Sequence, residues 1–169
     1  MPFDLQPTLT GELIELRPLR PDDFDALYAV ASDPLIWEQH PASDRYKPDV
    51  FRKFFDDGLA CGGALIAIDR ATGNVIGSSR YFRYNQLFSE IEIGWTFLAR
   101  SHWGGRYNGE MKRLMLQHAF RFVSGVIFRV GLTNLRSQRA VEKIGGTRVG
   151  VSTDAAGNQS YVYRITQPS

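Results

Sequence analysis

The residues with the clearest chemical potential are Trp103-Gly104-Gly105-Arg106-Tyr107-Asn108, two glycines set just before a run with helical periodicity. Glycine lets the backbone turn sharply there, and the first amides of the following helix have no carbonyl partners within it. A helix start of this kind attracts an anion, phosphate being the commonest. The alternative is a tight strand-to-helix connection that needs glycine for positive φ alone. Other reactive residue types offer less. His40, His102 and His118 lie far apart with no metal-ligand spacing, so no metal site is expected. His118 falls on an apolar helical stripe and reads as a core histidine. Cys61, the single cysteine, has no recognisable nucleophile context, and a buried thiol is expected there.

A strand and a helix must position the glycine turn. Ile91, Ile93, Trp95 and Phe97 alternate with Glu92, Gly94 and Thr96, a period of two that puts the first set on one face of a strand and Glu92 on the other. Beyond the turn, Met111, Leu114, Met115, His118, Ala119 and Phe122 recur at three- and four-residue steps, the stripe of a helix lying on a sheet. Earlier in the chain, Leu13–Leu19 reads as a strand with Pro18 at an edge or end. Pro21-Asp22-Asp23 opens a helix carrying Phe24, Leu27, Tyr28 and Ala31, which Asp33-Pro34 stops. Residues 35–48, with Trp37, His40 and Pro41, have no clean period and read as a loop or broken helix of the kind that often binds ligands. A second helix follows from Pro48, with Val50, Phe51, Phe54, Phe55 and Leu59 on one face.

Ala64–Asp69 and Val75–Phe82 form a predicted antiparallel hairpin across a short turn. After the organising strand and helix, Val126–Leu132 is a strand expected to run parallel to its predecessor, because a helix connects them. Asn134 to Ile144 is a short helix ended by Gly145-Gly146 in a left-handed cap. A hairpin of 147–152 and 161–165 closes the chain. The order predicts an α+β (mixed α/β) fold, a mixed sheet of about seven strands with about four helices packed on it, as one domain over residues 1–169.

Composition narrows the function. A 169-residue chain buries a true core, and a formal charge of +2 is too small to imply a polyanion, so nucleic acid is not expected as a partner. One cysteine excludes an internal disulfide framework and fits a reducing compartment. With no apolar run of membrane-spanning length and no signal-peptide pattern in MPFDLQPTL, neither a membrane nor export is expected, and the cytoplasm is the expected location.

Two blocks carry a resemblance. EIGW followed by WGGRYNGEMKRLMLQHAF is similar to the strand, pyrophosphate loop and helix of the GNAT superfamily of acyl-CoA-dependent N-acyltransferases. Asn134-Leu135-Arg136-Ser137 through Lys143-Ile144-Gly145 is similar to its N-x-x-S block ending in K-x-G. The opening LIELRPLRPDDFDALYAVASDP resembles the branch that includes the ribosomal-protein N-terminal acetyltransferases. The chain departs from the pattern in places. Trp103, Arg106 and Asn108 stand where the family loop usually reads Q/R-x-x-G-x-G/A, and Val141 stands where many relatives carry a tyrosine that protonates the departing thiolate.

The resemblance implies a three-layer GNAT-like fold and an N-acetyltransferase that moves an acetyl group from acetyl-CoA to a primary amine by direct attack. It implies that Phe97, Leu98 and Ala99 hold the pantetheine arm through a splayed strand. Trp103, Gly104, Gly105, Arg106, Tyr107 and Asn108 would hold the pyrophosphate, with Asn134, Ser137 and Lys143 also near the cofactor. Glu92 would accept the amine's proton, through water, and Ser137 would serve the thiolate. Glu92 as a solvated strand carboxylate, and Ser137 and Asn134 as simple helix-start residues, are the alternatives. Trp37 and Tyr84, together with Glu92, are candidates to line the acceptor site. The acceptor is left between a protein N-terminus and a small-molecule amine, and a homodimer is left open. Two rival readings remain, a non-catalytic acyl-CoA-binding or sensing domain and a transferase using a longer donor such as succinyl-CoA.

Overall fold

The structure is a computed structural model that describes residues 2–40 and 42–167. In chain order the elements are β1 (Leu9–Thr10), β2 (Ile14–Pro18), α1 (Phe24–Ala31), α2 (Pro48–Cys61), β3 (Ala64–Asp69), β4 (Val75–Asn85), β5 (Glu90–Leu98), α3 (Arg106–Ala119), β6 (Gly125–Gly131), α4 (Leu135–Lys143), β7 (Thr147–Thr153) and β8 (Gln159–Thr166). They make one sheet in the order β1-β2-β3-β4-β5-β6-β8-β7. Every pairing is antiparallel except β5 with β6, where α3 makes the crossover that a parallel pair requires. Among the described residues the sheet has eight strands, one more than the sequence pattern suggested. The addition, β1, is two residues long and leaves no periodic signal.

Helices cover both faces, giving three layers. On one side, Met111, Met115 and Ala119 of α3 pack on Leu16, Tyr81, Ile91, Ile93 and Val126. On the other, Leu27 and Ala31 of α1 and Phe51, Phe54 and Phe55 of α2 pack on Ile66 and Phe97. Helix α2 starts with Pro48 in its first turn, where a missing N–H costs nothing, and ends on Gly62 at φ 74°. Its last residue, Cys61, is exposed, and its thiol donates to the Gly58 carbonyl at 3.2 Å. The expectation of a buried thiol fails because Cys61 lies in the exposed end of the helix, between the exposed Ala60 and Gly62. His118 is a core histidine as expected, its Nε2 2.8 Å from the Asp4 carbonyl and its ring against Phe3, Tyr81 and Phe122. Glu110 ties the start of α3 to the sheet by accepting the N–H groups of Glu12, Leu13 and Ile14 at 2.7–2.8 Å.

Two β-bulges break the expected alternation in the centre of the sheet. Ser78 pairs with Phe97 and Arg80 with Gly94, so β5 carries one extra residue, and Trp95 takes φ 51°. Phe82 pairs with Glu92 and Asn85 with Glu90, so β4 carries one extra residue, and Arg83 takes φ 55°. A bulge moves the residues beyond it to the opposite face. Ile91 and Ile93 therefore face α3 while Trp95 and Phe97 face α1 and α2, which corrects the single apolar face read from the sequence. Left-handed φ at bulky residues is strained, about 1–3 kcal/mol each, and persists only where surrounding packing holds it.

Candidate functional site

Strands β5 and β6 are hydrogen-bonded only over Glu90, Ile91 and Glu92, which face Gly125, Val126 and Ile127. Beyond Glu92 they diverge, although β5 runs on to Leu98 and β6 to Gly131. The sheet is therefore split into a wedge with Glu92 at its apex, and the facing edges of β5 and β6 offer backbone donors and acceptors that no strand takes. A cavity of about 680 Å³ runs through the wedge. Its walls come from Gly94–Leu98, from Phe128–Gly131, from the starts of α3 and α4, from the segment after α1 and from the β7–β8 hairpin.

At one end of this cavity, Gly104 and Gly105 take φ 116° and 99°, a conformation that a side-chain-bearing residue would resist. Gly105 is the N-cap of α3, and the first helical bond runs from the Gly109 N–H to the Gly105 carbonyl at 2.8 Å. The amides of Arg106, Tyr107 and Asn108 thus have no partner within the helix. The Lys143 Nζ lies 3.5 Å from where a Gly105 Cβ would stand, which brings a cation to the turn. The Trp103 indole donates to the Leu98 carbonyl at 3.0 Å, and the Arg136 guanidinium stacks 3.8 Å above its ring. Asn134 caps α4 by accepting the Ser137 N–H at 3.4 Å, and both residues line the cavity.

Glu92 is 4 % exposed. Its Oε1 accepts from Arg83 Nη1 at 3.1 Å and from Arg129 Nη1, and among the described residues Oε2 accepts no hydrogen bond. Burial pushes the Glu92 carboxyl above the ordinary carboxylate range, while Arg129 and Arg83 pull the other way. It is a buried carboxylate on the cavity wall, unlike the solvated strand residue that was the alternative.

Most of the residues singled out from the sequence converge here. Glu92, Phe97, Leu98, Trp103, Gly104, Gly105, Asn108, Asn134, Ser137 and Trp37 all line the cavity, with Val141 beside Ser137. Trp37 forms a wall, its ring 5.0 Å from Phe97 and its N–H already donated to the Ala31 carbonyl at 2.9 Å. The remaining candidates lie elsewhere. Tyr84 is turned by the Arg83 bulge onto the α3 face, where it packs 5.7 Å from Phe3, so it does not line this cavity. The Ala99 N–H is taken by the Ile76 carbonyl at 2.8 Å. The Tyr107 ring meets His102 edge-to-face at 4.6 Å, and Arg106 is exposed at the helix start.

Sequence reasoning missed the cations. Arg45, Arg83, Arg129, Arg136 and Lys112 line the cavity, against the carboxylates of Glu92 and Asp154. Lys112 is 5 % exposed, donates to Thr96 Oγ1 at 2.5 Å and lies 5.4 Å from the Phe128 ring. Burial pulls its pKa down to about 7. A lysine beside an apolar helical stripe reads as a solvent-side residue. For Arg45 and Arg83 the signal that could have found them is the density of cations among aromatics in residues 37–55 and 80–84, whereas Lys112, Arg129 and Arg136 carry no such local signal.

Coenzyme A fits what the wedge offers: open strand edges for the amides of a pantetheine arm and, at one end, helix amides with a lysine for phosphate. The Acetyltransferase (GNAT) domain family matches residues 14–147. No curated protein matches the sequence. Among solved structures, a GCN5-related N-acetyltransferase from Brucella melitensis superposes with TM-score 0.85 at 19% identity, over 98% of this chain and 80% of that one. A GNAT-family acetyltransferase from Bacillus anthracis gives TM-score 0.75 at 19% identity, over 95% and 98%. Mycobacterium smegmatis RimJ in complex with CoA-disulfide gives 0.72 at 19% identity, over 95% and 87%. At these identities the structures share the fold, while the domain match spans most of the sequence, from β2 to the start of β7. The chain belongs to the GNAT acetyltransferase family, the acyl-CoA-dependent N-acyltransferases.

Proposed function

We propose that the protein transfers an acetyl group from acetyl-CoA to a primary amine, a protein N-terminus or a small molecule, by direct attack. The observation that carries this reading is the wedge between β5 and β6, closed by a buried carboxylate at its apex and ending at free helix amides. The CoA-disulfide held by the RimJ structure supports the same cofactor class here. Open backbone groups of Gly94–Phe97 and of 128–130 would bind the arm, and the amides of Arg106–Asn108 with Lys143 the pyrophosphate. When bound, the thioester supplies the acetyl group and a thiolate leaving group.

An amine attacks a thioester only in its neutral form, so the site needs a proton acceptor. Glu92 meets that need because burial makes it more basic than an exposed carboxylate, while Arg83 and Arg129 occupy one oxygen and leave Oε2 for the amine or a bridging water. Ser137, on the same cavity wall as Val141, carries the hydroxyl that can give a proton to the thiolate in place of the missing tyrosine. Holding both reactants in one cavity supplies much of the acceleration.

The test is incubation with acetyl-CoA and a broad set of amines and N-terminal peptides, reading thiol release and acetylated product by mass spectrometry. At least one acceptor is expected to gain an amide-linked acetyl group only when the protein is present. Tight acetyl-CoA binding with no acceptor modified would favour the sensing alternative, and turnover with succinyl-CoA alone would change the donor.

A further inference from the structure

Beside the wedge, the segment between α1 and α2 holds an arginine that the acetyl-transfer reading leaves unused. Arg45 Nη1 is buried and has no hydrogen-bond partner among the described residues. The guanidinium is held between rings, 4.4 Å from the centre of Phe54 and 5.3 Å from that of Trp37. Arg80 stacks on the same Phe54 at 4.4 Å and donates to its carbonyl at 2.5 Å. Among the described residues, neither Arg45, Arg80, Arg136 nor Lys112 has a carboxylate within ion-pairing distance.

Leaving a buried donor unmet is costly, and a guanidinium is the side chain best shaped to take a carboxylate through two parallel bonds. The other polar group here also donates. His40 Nδ1 accepts the Ala42 N–H at 3.0 Å, and burial, with Arg45 and Arg136 nearby, pushes the ring down to about 4. The imidazole is therefore neutral at physiological pH with its proton on Nε2, an N–H donor on the cavity wall. Arg45 is lowered to about 10 by burial and by Arg80, and stays charged.

Arg45 and His40 stand on the α1/α2 side of the cavity, and Arg136, which donates to the Ile36 carbonyl and stacks on Trp103, adjoins them at the glycine turn. Arg45 packs on Phe54 and Trp37, which belong to the α1/α2 face, whereas α3 lies on the other face of the sheet. Resting on the acetyltransferase reading, we propose that the acceptor amine carries a carboxylate, and that Arg45, with the His40 N–H beside it, binds that carboxylate while the amine lies toward Glu92.

The carboxylate has two sources, the α-carboxylate of a free amino acid or the side chain of an acidic peptide N-terminus, and paired acceptors separate them. L-alanine against L-alaninamide tests the first, and a C-amidated tripeptide beginning with aspartate against one beginning with asparagine tests the second. In at least one pair the carboxylate form is expected to be acetylated with kcat/KM higher by about 10–100-fold, the range of a charge-assisted hydrogen bond. Arg45→Met keeps the stem and removes the charge, so it should bring that ratio close to one, and Arg45→Lys should restore part of it. The acetyl-CoA dissociation constant of the Arg45→Met protein should match wild type, which also shows that the variant is folded. Equal use of both members in both pairs overturns the proposal, as does an Arg45→Met loss that falls on acetyl-CoA affinity. Calorimetric titration of the same four compounds into CoA-saturated protein keeps the test independent of turnover. Selective, Arg45-dependent binding of a carboxylate form without acetylation would remove the transferase reading and leave the site, whereas no selectivity would remove the site.

Discussion

Lys112→Met should stabilise the cofactor-free protein, and by an amount that depends on pH. The lysine is buried, its Nζ meets the Thr96 hydroxyl, and its pKa falls from 10.5 in the unfolded chain to about 7 in the folded one. Between those values the unfolded chain holds a proton that the native state does not, so native stability rises with pH across the window. Below about pH 7 the native state carries the full cost of a buried ammonium, about 3–5 kcal/mol for a shift of this size. Methionine has a similar stem without the charge, and Thr96 keeps its bond to Ser79 Oγ at 2.8 Å, so the substitution orphans nothing. Urea denaturation of both proteins at about pH 6 and about pH 10 reads the difference. The variant should be more stable by several kcal/mol at the lower pH and nearly equal to wild type at the higher. An advantage unchanged between the two, or destabilisation at both, would refute the argument that Lys112 is desolvated and unpaired.

Two further substitutions test the parts around it. Glu92→Gln keeps the shape and removes the base, so kcat/KM for an identified amine should fall by roughly 10²–10⁴ with acetyl-CoA affinity little changed, and the loss should shrink as pH rises and more free amine is already neutral. Activity kept in full across pH would place the base elsewhere. Glu110→Ala should cost about 2–4 kcal/mol in denaturant unfolding at neutral pH, because three backbone N–H groups at the start of β2 lose their acceptor. Burial alone would raise the Glu110 carboxyl, but those donors and Arg113 outweigh it and lower it, so its contribution is present above the unfolded carboxylate value and is lost as pH falls through the folded one.

The elements were legible in the sequence wherever periodicity is long and punctuation sharp. The stripe of α3, the parallel strand after it and the Gly145 cap, at φ 102°, follow from spacing and glycine placement. The wedge was legible only through resemblance, because strand divergence has no local code. What failed depends on single residues. Arg83 and Trp95 take left-handed φ without the glycine that normally announces it, so Trp95 and Phe97 lie on the face opposite Ile91 and Ile93, and Tyr84 lies away from the cavity. Lys112 is a buried cation and Arg45 a half-buried one whose Nη1 is out of water, and composition places such residues at the surface by default. Lys112 is buried at the opening in the sheet, a long-range feature that no window of sequence contains, and Arg45 is covered by Phe54 and Trp37.

The wedge as cofactor site is tested most directly by amide hydrogen exchange with and without saturating acetyl-CoA. Protection should rise along Ile93–Leu98 and at Arg106–Asn108, with little change in α2 or β3, neither of which lines the cavity. Protection confined to other segments, or none despite saturation, would contradict the assignment of coenzyme A to the gap between β5 and β6.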